Sequence, residues 1–139
     1  MCMEKIIRGS EKLTSNYGSW PTFHDAEVLH LELWRDPILQ PEMPNWKEPI
    51  LTAKFHLAIE GPSSREMIAS LRFSDVEDLK IENFNYQNAI YALEIKDDGE
   101  PNCSEDKRRM YSVKIDGAFG VSASFHCTAI EVLDAAPVE

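Results

Sequence analysis

The sequence predicts a β-rich α+β fold: about seven mostly antiparallel strands in a curled or two-layer sheet, with one N-terminal helix. Two observations carry the sheet. Apolar and polar residues alternate one by one through several segments, most cleanly in Ile50–Glu60, where Leu51, Ala53, Phe55, Leu57 and Ile59 share one phase. Short turn-forming clusters such as Gly61-Pro62-Ser63-Ser64 separate those segments. One-sided alternation argues against a parallel sheet buried on both faces, whose strands read as continuous apolar runs. The helix rests on Met3–Leu13, where Ile6, Ile7 and Leu13 fall at roughly helical spacing and Gly18 offers a stop; Gly9 and Ser10 weaken it.

The strands follow in order. In Ala26–Trp34, Leu29, Leu31 and Leu33 alternate with His30, Glu32 and Trp34. Asp36–Pro49 contains Pro37, Pro41, Pro44 and Pro49 and reads as a long loop pinned to the body by Trp46. After Ile50–Glu60, the stretch Met67–Ser74 buries Met67, Ala69, Leu71 and Phe73, and Val76–Phe84 is a shorter strand. Gln87–Lys96 buries Tyr91, Leu93 and Ile95 as a strand, with a helical turn near Asn88 as the rival. Asp97–Lys107 is an acidic loop. Met110–Asp116 and Ala118–Leu133 are the last two strands, joined by a turn or bulge at Gly117 or Gly120. Phe119, Val121, Ala123, Phe125 and Cys127 share the inward phase of the last one. Phe55, Leu57, Leu71, Phe73, Val113 and Phe125 form the expected centre of the core. With no repeat and no interior linker, residues 1–139 form one domain whose tail frays from about 134.

A chain of 139 residues that is 43% hydrophobic can bury a real core. No apolar run approaches the roughly 18 residues of a membrane span. The opening MCMEKIIRGSEKL lacks the apolar stretch and cleavage site of a signal peptide. Cys2, Cys103 and Cys127 are odd in number and form no CxxC, against a disulfide framework or a zinc knuckle. The cytoplasm is the expected compartment. Charge is unevenly spread: Asp75–Asp106 holds ten acids and two bases, −8 of a formal net −10. Such a field repels nucleic acid and anionic membranes and steers a basic protein inward. Acids that merely keep loops and strand edges solvated give the same pattern.

Catalytic chemistry is poorly represented. His24, His30, His56 and His126 form no HxH or HxxxH pair, and a solvated polar face accounts for the last three. Cys127 reads as a buried thiol. There is no phosphate-cradling glycine loop and no GxSxG. No enzyme activity, cofactor or metal is expected. The one unusual segment is Tyr17–Trp34, YGSWPTFHDAEVLHLELW. Pro21 fixes its own φ and biases Trp20 towards extended backbone, so WPTFHD is an ordered turn entering a strand. Neighbouring strand residues point to opposite faces, so His24 and Asp25 should not touch. Trp20 and Phe23 are expected to pack over the sheet end, and Asp25 to bind turn backbone.

The segment from Tyr17 to Val28 resembles the opening signature of the immunity protein 50 family, and the hydrophobic alternation that follows and the distal strand Phe125–Ile130 resemble that family too. The resemblance implies a small bacterial inhibitor from a polymorphic toxin system, which binds a cognate toxin domain in the producing cell. It carries over no catalytic residue, and Trp20, Pro21, Phe23, His24 and Asp25 become a folding signature. On charge, Asp97, Asp98, Glu100, Glu105 and Asp106 are the candidate contacts for a basic toxin, with Trp34 and Trp46 as aromatic anchors. The competing expectation is a small-ligand or carbohydrate-binding β-domain whose mouth is lined by Trp20, His24, Trp34 and Trp46.

Overall fold

A computed structural model describes residues 3–35, 48–59, 65–98 and 110–138. Met3–Ile6 forms a helical turn (α1), and the chain then straightens over Ile7–Arg8 (β1), which pairs in parallel with Ile130 and Glu131. Helix returns at Glu11–Tyr17 (α2), where Leu13 is buried and the Gly18 N–H donates to Thr14 O at 2.7 Å. The single expected helix is therefore split. Pairing at the sheet edge satisfies the backbone at Ile7 and buries its side chain, a gain that outweighs the weak helical preference of β-branched residues. Lys12 Nζ donates to Leu133 O at 3.0 Å and ties α2 to the far end of the chain.

Eight longer strands follow: β2 (Glu27–Trp34), β3 (Ile50–Ile59), β4 (Arg65–Ser74), β5 (Glu77–Glu82), β6 (Ala89–Asp97), β7 (Tyr111–Phe119), β8 (Ser122–Cys127) and β9 (Ala129–Pro137). They form one open mixed sheet in the order β1-β9-β4-β3-β2-β6-β7-β8-β5, antiparallel except for β1 with β9. There are nine strands among the described residues rather than about seven, for two reasons. Ile7–Arg8 joins the sheet, and the expected strand Ala118–Leu133 divides at Thr128, where its partners change from β7 and β5 to β4. The chain also stays paired beyond Asp134: Pro137 faces Met67, and the Val138 N–H donates to Glu66 O at 2.9 Å.

Two long segments, β4–β5 and β8–β9, run side by side as an antiparallel ribbon. Its register is unbroken from Phe73↔Ile130 and Ser74↔Ala129 to Glu77↔His126. At the corner the Thr128 N–H donates to Ser74 O, and Asp75 turns the chain with φ 59. Strands that change layer at such a bend fold a sheet over its own core. Phe73 of β4 and Phe125 of β8 meet edge-on on the inside, with ring centroids 4.9 Å apart. All six residues expected at the centre, Phe55, Leu57, Leu71, Phe73, Val113 and Phe125, are buried.

Strand β2 departs from its expected alternation. A bulge lies between Val28 and His30, so Val28 is the buried residue while Leu29 and Leu33 are exposed. Phe119 also leaves the core face, because irregular pairing with β6 puts it at the sheet end, 63% exposed.

Candidate functional site

The WPTFHD segment is built around two left-handed residues, Phe23 (φ 63) and Asp25 (φ 64). A bulky non-glycine residue at positive φ is strained and persists only where its surroundings hold it. Here they do. The buried Phe23 ring packs against Trp20 at 5.5 Å and edge-on against Phe55 at 5.1 Å. The Asp25 N–H donates to Ile90 O at 3.0 Å, and the Ala26 N–H closes a turn onto Phe23 O at 3.1 Å. Phe23 is thus part of the core, and Trp20 packs half-buried against it.

The two polar residues behave differently. With the backbone left-handed rather than extended, His24 Nδ1 comes within 3.2 Å of Asp25 Oδ2, a contact that strand geometry forbids. Asp25 is 82% exposed, so its carboxylate is presented to solvent instead of capping buried donors. Replacing Asp25 with Ala should therefore change stability by about 1 kcal/mol or less, mostly through the poorer tolerance of alanine for positive φ. Thermal melting checks this, and a loss of several kcal/mol would restore the capping role. Beside the pair lies a cleft of about 470 Å³ lined by Tyr17, Pro21, Thr22, His24, Asp25 and Leu57. The Tyr17 hydroxyl is sheltered without a hydrogen-bond partner, and burial pushes its pKa above the ordinary tyrosine value.

The acidic candidates are at the end of β6. Asp97 pairs with Tyr111, the Asp98 N–H donates to Met110 O at 2.9 Å, and the Ser112 hydroxyl donates to the Asp98 carboxylate. Glu100, Glu105, Asp106 and Trp46 fall outside the described residues. Trp34 is 58% exposed at the far end of β2, opposite Ile50. Seven strand steps from Glu27 amount to roughly 23 Å, so Trp34 does not share a mouth with Trp20 and His24.

Strand pairing also assembles a face that the linear charge count hides. Glu94, Lys114, Ser124 and Lys80 form one row across β6, β7, β8 and β5, and Lys96, Ser112, His126 and Glu77 form the next. A groove of about 570 Å³ runs along them, with His126 Nδ1 3.6 Å from Asp78 Oδ2. Lys114 comes from outside the acidic stretch and joins both of its bases, so this face mixes charges.

No group of three or more His, Cys, Asp or Glu side chains suited to a metal occurs among the described residues. Burial pushes the Cys127 thiol up to about 12, which keeps it inert as a nucleophile at neutral pH. No described helix is long and apolar enough to cross a membrane.

Asn88 carried no signal in the sequence but organises one end of the sheet. It is buried; its Oδ1 accepts from the N–H groups of Asn85 (2.8 Å) and Val121 (3.2 Å), and its Nδ2 donates to Asn85 O (2.7 Å). Its backbone carbonyl accepts from the Val28 N–H at 3.0 Å. The Asn88 side chain thus joins the loop 83–88 to the β7–β8 turn, and its backbone carbonyl ties both to the start of β2. Residues 9–138 match the model of a family described as immunity protein 50. No curated protein and no solved structure matches the chain.

Proposed function

The chain belongs to the immunity protein 50 family, and from that premise we propose that it neutralises a cognate toxin domain by protein–protein contact in the cytoplasm of the producing cell. The match over residues 9–138 is the observation that carries this reading. It acts by occupying the toxin rather than by chemistry of its own. The partner is a basic domain, of the kind that acts on nucleic acid, and the acidic surface of residues 75–106 is the contact face. In support, Glu77, Asp78, Glu82, Glu94 and Asp98 are all exposed and outnumber the exposed Lys80, Lys96 and Lys114 of β5, β6 and β7. Localised charge of this kind raises association rates by steering.

Neutralising Asp97, Asp98, Glu100, Glu105 and Asp106 together should slow association with the toxin domain encoded beside this chain's gene. The expected loss is one to two orders of magnitude at low salt, roughly the scale of electrostatic steering, with a flatter salt dependence. Dissociation should change less. Association kinetics of both proteins at several salt concentrations decide the matter: equal rates with equal salt slopes would leave these acids as solvated loop residues.

A further inference from the structure

Five large apolar or aromatic side chains stand in solvent at one end of the sheet: Tyr86 (98% exposed), Phe119 (63%), Tyr91 (57%), Phe84 (48%) and Leu29 (43%). Backbone pairing brings them together. Ala89 is paired with Glu27 of β2 on one side and with Phe119 of β7 on the other, and Tyr91 lies two residues further along β6. Leu29 follows Val28, whose N–H donates to Asn88 O. Phe84 and Tyr86 flank Asn85, and the Asn88 side chain holds both the N–H and the carbonyl of that residue.

We propose that this aromatic end is the docking surface that anchors the cognate toxin domain, an inference that rests on the immunity reading above. Exposed aromatics clustered on a soluble protein mark contact sites, and Tyr and Phe are enriched at the centres of interfaces. The loop is held in place by Asn88 before any partner arrives, so little ordering entropy is lost on binding. Charge identifies the occupant. Glu82 lies two residues before Phe84, Glu27 faces Ala89 and Asp116 faces Ala92, so carboxylates edge the aromatic centre on three strands. Lys80 and Lys114 stand two residues before Glu82 and Asp116, further from the aromatics, so that of three nearby lysines only Lys54, facing His30 beside Leu29, borders the cluster. A partner with an apolar centre ringed by Lys and Arg fits this edge, as a basic toxin domain would. The aromatic end thus governs how long the complex lasts, and the acids how quickly it forms.

The test uses the full chain and a catalytically inactivated form of the toxin domain encoded beside its gene. The double variant Phe84→Ala/Tyr86→Ala should melt like the wild type, yet dissociate about thirty-fold faster or more. Its association rate and salt slope should stay unchanged. If Phe84→Ala lowers the melting temperature, Tyr86→Ala alone decides, because that side chain is 98% exposed. Unaltered dissociation from a toxin that the wild type binds would overturn the docking surface and leave the immunity reading standing. A wild type that neither binds nor protects against the toxin would overturn both. A wild-type dimer that the double variant converts to monomer, with toxin binding intact, would reassign the aromatics to self-association and overturn the docking surface.

Discussion

Phe55→Ala is expected to lower stability by about 3–5 kcal/mol, the range for deleting a fully buried aromatic ring. Phe55 is 0% exposed and makes a T-shaped contact with Phe23, ring centroids 5.1 Å apart. Its loss therefore does more than open a cavity in β3. Phe23 is held at φ 63 by its packing, and without Phe55 one wall of that packing is gone. The strained turn should relax, and the His24–Asp25 contact with it. Urea unfolding measures the stability change, and the His24 ring resonances report the turn. A shift below about 1 kcal/mol would fit a surface position rather than this one.

Gly120→Ala should be nearly as damaging, at about 3–5 kcal/mol, although it adds a single methyl group. The new Cβ would lie 2.1 Å from Gln87 O and 2.7 Å from Asn88 Oδ1, on a backbone with φ 87. The left-handed conformation costs roughly 1–2 kcal/mol for an L-residue. Clearing the clash means moving the 83–88 loop off the β7–β8 turn, which breaks the Asn88 bonds to Asn85 and Val121. Each buried group so orphaned adds about 1–3 kcal/mol. Gly18 serves as the control: its φ is similar, at 80, but nothing lies within 4 Å of its Cβ position. Gly18→Ala should cost only about 1–2 kcal/mol. Equal urea midpoints for the two variants would show that backbone conformation, not close approach, sets the cost at Gly120.

The sheet was largely legible wherever alternation ran without interruption. Leu51, Ala53, Phe55 and Leu57 in β3 and Met67, Ala69, Leu71 and Phe73 in β4 are buried as their spacing required. The bulge in β2 was not legible, because Leu29 is apolar and continues the pattern while facing solvent. The corner at Thr128 did leave a trace. The buried phase passes from Cys127 to Ile130 and Val132, a slip from odd to even positions, and the opposite strand slips likewise from Phe73 to Val76. Read together, the two slips mark a strand pair that changes layer.

The candidate site was less visible. The aromatic, proline and His-Asp composition of WPTFHD singled it out, but positive φ at Phe23 and Asp25 depends on tertiary packing and has no sequence signature. Tyr91 was assigned to the core by periodicity, whereas the irregular pairing of β6 with β7 turns it outward. Phe84, Tyr86 and Phe119 are ordinary residues in a linear reading. Their meaning comes from exposure and from the long-range pairing at Ala89.

The ribbon of β4–β5 against β8–β9 bears on how relatives can diverge in length. Because its register is shared across the corner, one extra residue beside Thr128 would leave the pairing on one side intact and shift it by one on the other. A one-residue shift exchanges the two faces of a strand. The inserted residue would therefore send His126 and Ser124 of β8 inward, or Ile130 and Val132 of β9 outward, depending on which side moved. Insertions and deletions should accumulate in the connections between strands, while the residue count between the ribbon's paired positions stays fixed. Relatives can then vary the outline of the molecule freely, except along this one seam.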